Sequence, residues 1–91
     1  MNEIQDFADK AKFKVSQCTK YRYFNIDEET QIRITSTGGK RSRLYRTLLI
    51  KSDEDGIFMA TNATKNELGT DLKDAKLNAG RIYFDYIRTN S

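Results

Sequence analysis

The sequence predicts a mainly β domain: a small curled antiparallel sheet or OB-like barrel with one or two short helices, one of them before the last strand. Three observations lead there. Apolar and polar residues alternate with period two in short runs, as at Phe13 and Val15, Ile32 and Ile34, and Leu48 and Ile50. Turn-forming clusters separate the runs: Asp27-Glu28-Glu29, Ser36-Thr37-Gly38-Gly39 and Asp53-Glu54-Asp55-Gly56. Ten aromatic residues, five Tyr and five Phe, lift a chain that is 32% charged above the disordered class and supply a thin core.

Each element follows from local chemistry. Asn2 is placed to cap a short helix, with Gln5 three residues on and Ile4, Phe7, Ala8 and Ala11 along one face. Phe13 and Val15 begin a half-exposed strand, and Tyr21, Tyr23 and Phe24 continue an extended, aromatic-rich segment to Ile26. Beyond the acidic turn, Ile32 and Ile34 alternate with Gln31, Arg33 and Thr35. Leu44 to Lys51 is the longest β candidate. Leu44, Leu48 and Ile50 share one side, and Arg43, Tyr45, Thr47 and Leu49 share the other. Arg46 breaks the apolar side, which calls for a strand end or a bulge there. Asp55-Gly56 suits a tight hairpin leading into Ile57 to Thr61.

The last third predicts a helix and a closing strand. Thr64-Lys65-Asn66-Glu67 has the form of a capping box, and Leu68, Leu72, Ala75 and Ala79 follow at helical spacing. Gly69-Thr70 interrupts this pattern, giving either a kinked helix or one turn followed by a helix from about Asp71, and Asn78 and Gly80 offer its stop. Ile82, Phe84 and Tyr86 then alternate with Arg81, Tyr83 and Asp85 as a strand. The 91 residues hold no Pro, repeat or linker-like stretch, so the expectation is one domain over 1–91.

Several chemistries find no support. The chain has no His, which removes the usual neutral-pH acid–base group and the commonest metal ligand. Its single cysteine, Cys18, has neither a disulfide partner nor a histidine to activate it, and no Cys/His cluster offers a zinc site. The acids at 53–55 and 27–29 read as exposed turns. A metal-dependent enzyme would need Asp53 or Asp55 to meet Asp85 across the sheet. The expectation is therefore a non-enzyme without cofactor or metal. The longest apolar run is Leu48-Leu49-Ile50, far short of a membrane span, and Met1 to Lys10 has no apolar targeting core. Together with the lone cysteine, this suggests a cytoplasmic, reducing location.

Charge is distributed unevenly. The net charge is +3, but Lys10 to Ile26 and Thr30 to Lys51 hold cations only, divided by Asp27-Glu28-Glu29. Such a basic body points to an anionic partner. The candidate nucleic-acid contacts are Lys40, Arg41 and Arg43 behind the two glycines, Tyr45 and Arg46 just beyond, and Arg33 and Phe58 on neighbouring strands. Lys20, Tyr21, Arg22 and Tyr23 interleave bases with rings in a second patch. Cations track phosphates and aromatic faces stack bases, so this mixture suits single strands. Alternation suggests that Arg33 and Tyr45 project to the same side. The competing role for the rings is core, expected for Phe7, Phe13 and Phe84.

Residues 30 to 62 resemble the central hairpin of small phage- or plasmid-type OB-fold single-strand DNA-binding proteins. The resemblance rests on Ile32-Arg33-Ile34-Thr35, the turn Gly38-Gly39-Lys40-Arg41, the strand Leu44 to Ile50, an Asp-Gly turn, and Ile57 to Asn62. It implies an OB-like barrel that binds along its curved sheet, with Arg33, Tyr45 and Phe58 facing bases. An OB barrel has two strands after its helix, whereas here only Arg81 to Arg88 is available.

Two partners fit this reading. One is a nucleic acid, single-stranded DNA or RNA preferred. The other is an acidic surface on a larger host protein, met by a small interaction module of the phage inhibitor or adaptor kind and steered by the same cations. Free sheet edges also leave room for a homodimer.

Overall fold

Five strands follow one another in space in the order in which they occur along the chain, and a long C-terminal helix folds back across them. The computed structural model describes residues 2–17, 21–38 and 43–90. The order is α1 (Glu3–Lys10), β1 (Lys14–Val15), β2 (Arg22–Asp27), β3 (Thr30–Thr37), β4 (Leu44–Ser52), β5 (Phe58–Gly69) and α2 (Leu72–Thr89). The strands form one antiparallel sheet in the order β1-β2-β3-β4-β5. It does not close into a barrel, and β1 and β5 are its two edges. No helix among the described residues is long and apolar enough to cross a membrane.

The local signals set most of these elements. The Asn2 side chain accepts hydrogen bonds from the Ile4 and Gln5 amides at the start of α1. The Asp27 carboxylate accepts the Glu29 amide at 2.8 Å and tightens the β2–β3 turn. At the β4–β5 turn, Asp53 Oδ1 accepts the Asp55 and Ile57 amides while Gly56 takes φ +77°, which an L side chain resists.

The core lies between one face of the sheet and α2. Ile32, Ile34 and Leu49 meet Ala75, Ala79 and Ile82, with Phe7, Phe13, Tyr45, Tyr83 and Tyr86 packed around them. Register places the rest of this face: Arg22 beside Ile34, Phe24 beside Ile32, Thr47 beside Ile34, and Lys51 beside Thr30. Phe7, Phe13, Phe24, Tyr83 and Phe84 form a network of ring contacts with centroids 4.7–6.3 Å apart, joining α1 to α2 and β2. Thr47 donates to the Ala75 carbonyl, so a buried polar group is satisfied inside the same layer.

Two expectations are corrected. Residues 64–69 belong to β5, and 81–88 belong to α2. In β5 the ladder to β4 overrides the capping-box pattern: Glu67 pairs with Thr47, and Leu68 with Arg46. The helix begins at Asp71, as one of the two expected forms has it, without the preceding turn: Asp71 accepts the Asp74 amide at 2.7 Å, while Asp74 accepts the Thr70 amide. Gly80 does not stop the helix. It lets α1 approach, because a Cβ there would stand 3.0 Å from the Ile4 carbonyl oxygen and 3.1 Å from its Cγ2. Leu72, Ala75, Ala79, Ile82, Tyr83 and Tyr86 thus form one uninterrupted helical stripe on the core.

Candidate nucleic-acid interface

The face of the sheet turned away from α2 is built by the other parity of the strands. Register aligns Lys14 with Tyr23, Tyr23 with Arg33, and Arg33 with Leu48, then Leu48 with Asn66. Asn25, Gln31, Ile50 and Ala63 form the next row, and Thr35, Arg46 and Leu68 form another. Three cations, Lys14, Arg33 and Arg46, stand at these positions, and no Asp or Glu does.

This face is not flat. The β4–β5 register shifts between Leu49 and Ile50 and again between Ile50 and Ser52, so β5 holds extra residues and bends. Phe58 is brought over β3, where its carbonyl accepts a hydrogen bond from Arg33 Nη2 at 3.0 Å. Ile50 is fully buried and Leu48 nearly so on this side. The result is an open cleft of about 700 Å³, lined by Tyr21, Tyr23, Gln31, Arg33 and Phe58 together with Val15 of β1 and the two residues after it.

Arg33 is the centre of the cleft. It is only 9% exposed. Its Nε donates to Gln31 Oε1 at 3.0 Å, and its guanidinium carbon lies 3.9 Å from the centroid of the Tyr21 ring. Gln31 in turn donates to Asn25 Oδ1. The Tyr21 and Tyr23 ring centroids are 5.9 Å apart. All of these partners are neutral, and no carboxylate among the described residues forms a salt bridge with Arg33.

The site residues expected from sequence are thereby divided. Arg33, Tyr21, Tyr23 and Phe58 come together in the cleft. Arg46 stands on the same face, exposed, towards the start of β4, where the β3–β4 register runs unbroken. Arg43 is exposed just before β4. Tyr45 is on the opposite face, paired with Ser36 and packed against the core, so it does not join Arg33. Arg22 also falls on the helix-covered side, beside Ile34. Lys20, Lys40 and Arg41, like Cys18, lie outside the described residues. Among the described residues, the cations of the first half do not form one continuous surface: parity sends Arg22 and Lys51 to one side and Lys14, Arg33 and Arg46 to the other. Gln31, which orients Arg33, was not singled out from sequence. Its i, i+2 relation to Arg33 is the signal that places it there.

Three carboxylates, Asp27, Asp85 and Asp53, are engaged away from the cleft. Tyr86 donates to Asp27, and Lys51 Nζ donates to the Tyr86 hydroxyl at 2.8 Å and to Thr30 Oγ1 at 2.9 Å. Desolvation raises the Asp27 pKa, but the hydrogen bonds from Glu29, Thr30 and Tyr86 and the Lys51 charge outweigh it, leaving the carboxyl below its ordinary value. Asp85 is also lowered, first by the hydrogen bond from Lys65 and then by the Lys65 charge. Asp53 is occupied by its turn. Among the described residues, no three of His, Cys, Asp and Glu converge as a metal site.

The fold and site define an open five-stranded antiparallel sheet, backed by helices on one face and carrying an aromatic, acid-free cleft on the other. Comparison of the chain with family models, curated proteins and solved structures yields no match.

Proposed function

We propose that the open face binds a single-stranded nucleic acid, with Arg33 holding a phosphate and the rings of Tyr21, Tyr23 and Phe58 meeting bases. The observation that carries this reading is Arg33, a residue only 9% exposed whose guanidinium is held by neutral partners. A desolvated cation is favoured when an anion faces it, and a phosphate oxygen supplies one with the geometry a guanidinium matches. Lys14 and Arg46 add further positive charge to this face, and no carboxylate stands at its registered positions. The enclosing rings add stacking that tolerates any base, worth about 1–3 kcal/mol per base.

Fluorescence anisotropy with a labelled oligothymidine of about 12 nucleotides tests this directly. Three phosphate contacts on a single strand give a log–log salt slope of about −2. Arg33→Met is expected to lower affinity at least about tenfold, and Tyr23→Ala to lower it by the value of one stacked base. Tyr45→Ala, on the other face, leaves affinity unchanged in protein that remains folded. Full affinity in folded Arg33→Met would falsify the reading.

A second reading has its own observation. Val15, Ile57 and Met59 are 55%, 54% and 48% exposed beside or next in sequence to the cleft, an apolar fringe suited to a protein surface. In that case Arg33 receives a carboxylate of an acidic protein partner. A stoichiometric partner retained from nuclease-treated lysate, together with no oligonucleotide binding, selects this alternative.

A further inference from the structure

We infer that β5 pairs with β5 of a second copy of this chain, in one defined register, to form a two-fold symmetric dimer. The two sheet edges differ: β1 has two residues, whereas β5 has twelve, of which residues 65–69 run in unbroken register with β4 and the Leu68 carbonyl already accepts from Asn78 Nδ2. Residues 64–68 are all exposed, and Leu68 is 56% exposed. Exposed edges invite strand addition and are commonly blunted by proline or by an uncompensated charge. This chain has no proline.

The charges on β5 are arranged to complement themselves. Lys65 and Glu67 are two residues apart on the helix-covered side, opposite Leu49 and Thr47 respectively. An antiparallel pair centred on Asn66 sets Lys65 opposite Glu67 of the second copy, and symmetry repeats that contact. Moving the centre to residue 65 sets Lys65 against Lys65, and moving it to residue 67 sets Glu67 against Glu67. Opposed like charges are destabilising, so one register is selected among its neighbours. Opposite residues share a face, so the helices of both copies lie on the same side and the two open faces become continuous. Within the chain Lys65 contacts Asp85, while Glu67 has no ion-pair partner among the described residues.

The test is sedimentation equilibrium on the full chain, without nucleic acid, so the outcome does not depend on what the open face binds. The natural chain is expected to associate to a dimer below about 1 mM. Lys65→Glu and Glu67→Lys, each verified as folded by circular dichroism, are expected to weaken self-association at least about tenfold. Mixed in equal amounts they are expected to form a heterodimer, because a strand with acids at both positions then faces a strand with lysines at both. If Lys65→Glu unfolds on losing its Asp85 contact, Glu67→Lys against Glu67→Asp makes the same comparison, with only the aspartate variant expected to dimerise. A natural chain that stays monomeric at about 1 mM, a charge-reversed variant that dimerises as the natural chain does, or a mixture that stays monomeric would each overturn the inference.

Discussion

The two faces of the sheet treat charge in opposite ways. On the helix-covered face, two cations are tied to α2: Lys51 lies between Thr30 and Tyr86, with Asp27 on the same tyrosine, and Lys65 meets Asp85. On the open face, Arg33 is held by an amide, a carbonyl and a ring, with no anion. Aromatic rings divide likewise. Phe7, Phe13, Phe24, Tyr45, Tyr83, Phe84 and Tyr86 pack on the helix side, leaving Tyr21, Tyr23 and Phe58 for the cleft. The first face uses its polar groups to hold the fold. The second keeps a positive charge in place without neutralising it, an arrangement that suits the binding of an anion.

Truncating one apolar residue on each face breaks this comparison most severely. Ile32 and Ile50 are both 0% exposed, on opposite sides of the sheet. Ile32→Ala is expected to cost about 2–5 kcal/mol, a large part of the stability of so small a domain. Ile50→Ala falls in the same range because Ile50 also makes no contact with water, but its cavity opens beneath the cleft. Urea unfolding measures both. A negligible loss for Ile50→Ala would mean that the open face contributes no second layer of packing.

The next largest effect belongs to Tyr86, which joins α2 to the sheet. Tyr86→Phe keeps the ring but removes the hydroxyl shared by Asp27, Thr30 and Lys51. A loss of about 1–2 kcal/mol is expected, with the open face unaffected. Oligonucleotide affinity measured in the same variant checks that separation: a large fall would mean that the two faces are coupled.

Arg33 and Lys51 sharpen the contrast by sign. Lys51→Met removes hydrogen bonds to Thr30 and Tyr86 and the charge near Asp27, so it lowers the unfolding midpoint. Arg33→Met removes a desolvated cation with no carboxylate and is expected to change stability by less than about 0.5 kcal/mol, or to raise it, while binding is weakened. Thermal unfolding of both variants, alongside anisotropy, reads stability and binding separately.

How far these features could be read from sequence depends on whether a local rule or a distant contact decided them. The Asn2 cap, the Asp27 turn, the Asp53–Gly56 turn and the parity of β3 and β4 follow from residues within a few positions, and the structure has all four. The C-terminal third does not. Ile82 to Tyr86 satisfies a period of two over a short window, while the stripe that makes it helical begins at Leu72. Gly80 looks like a stop unless Ile4 is known to approach it. Arg33 could be picked out by its alternation with two isoleucines. Its separation from Tyr45 could not, because it depends on the Ser36–Tyr45 and Arg33–Leu48 pairing across a turn. Charge along a strand is divided by parity between two faces, so a cationic run in sequence need not become a cationic surface.

The smallest predicted effect lies in acid and comes from the helix-covered side. Asp27 and Asp85 both have folded-state pKa values below the ordinary 3.8. A carboxylate lowered by folding contributes stability above its unfolded pKa, and that contribution is lost as pH falls through the folded value. Unfolding midpoints are therefore expected to be level near neutrality and to fall below about pH 4. Both groups are largely solvent-exposed, so the slope is shallow. Asp27→Asn and Asp85→Asn should each flatten the acid limb. Because no carboxylate stands at the registered positions of the open face, Arg33→Met should leave that limb unchanged. A steeper limb in Arg33→Met would reveal an acid coupled to the cleft and would remove the distinction between the two faces.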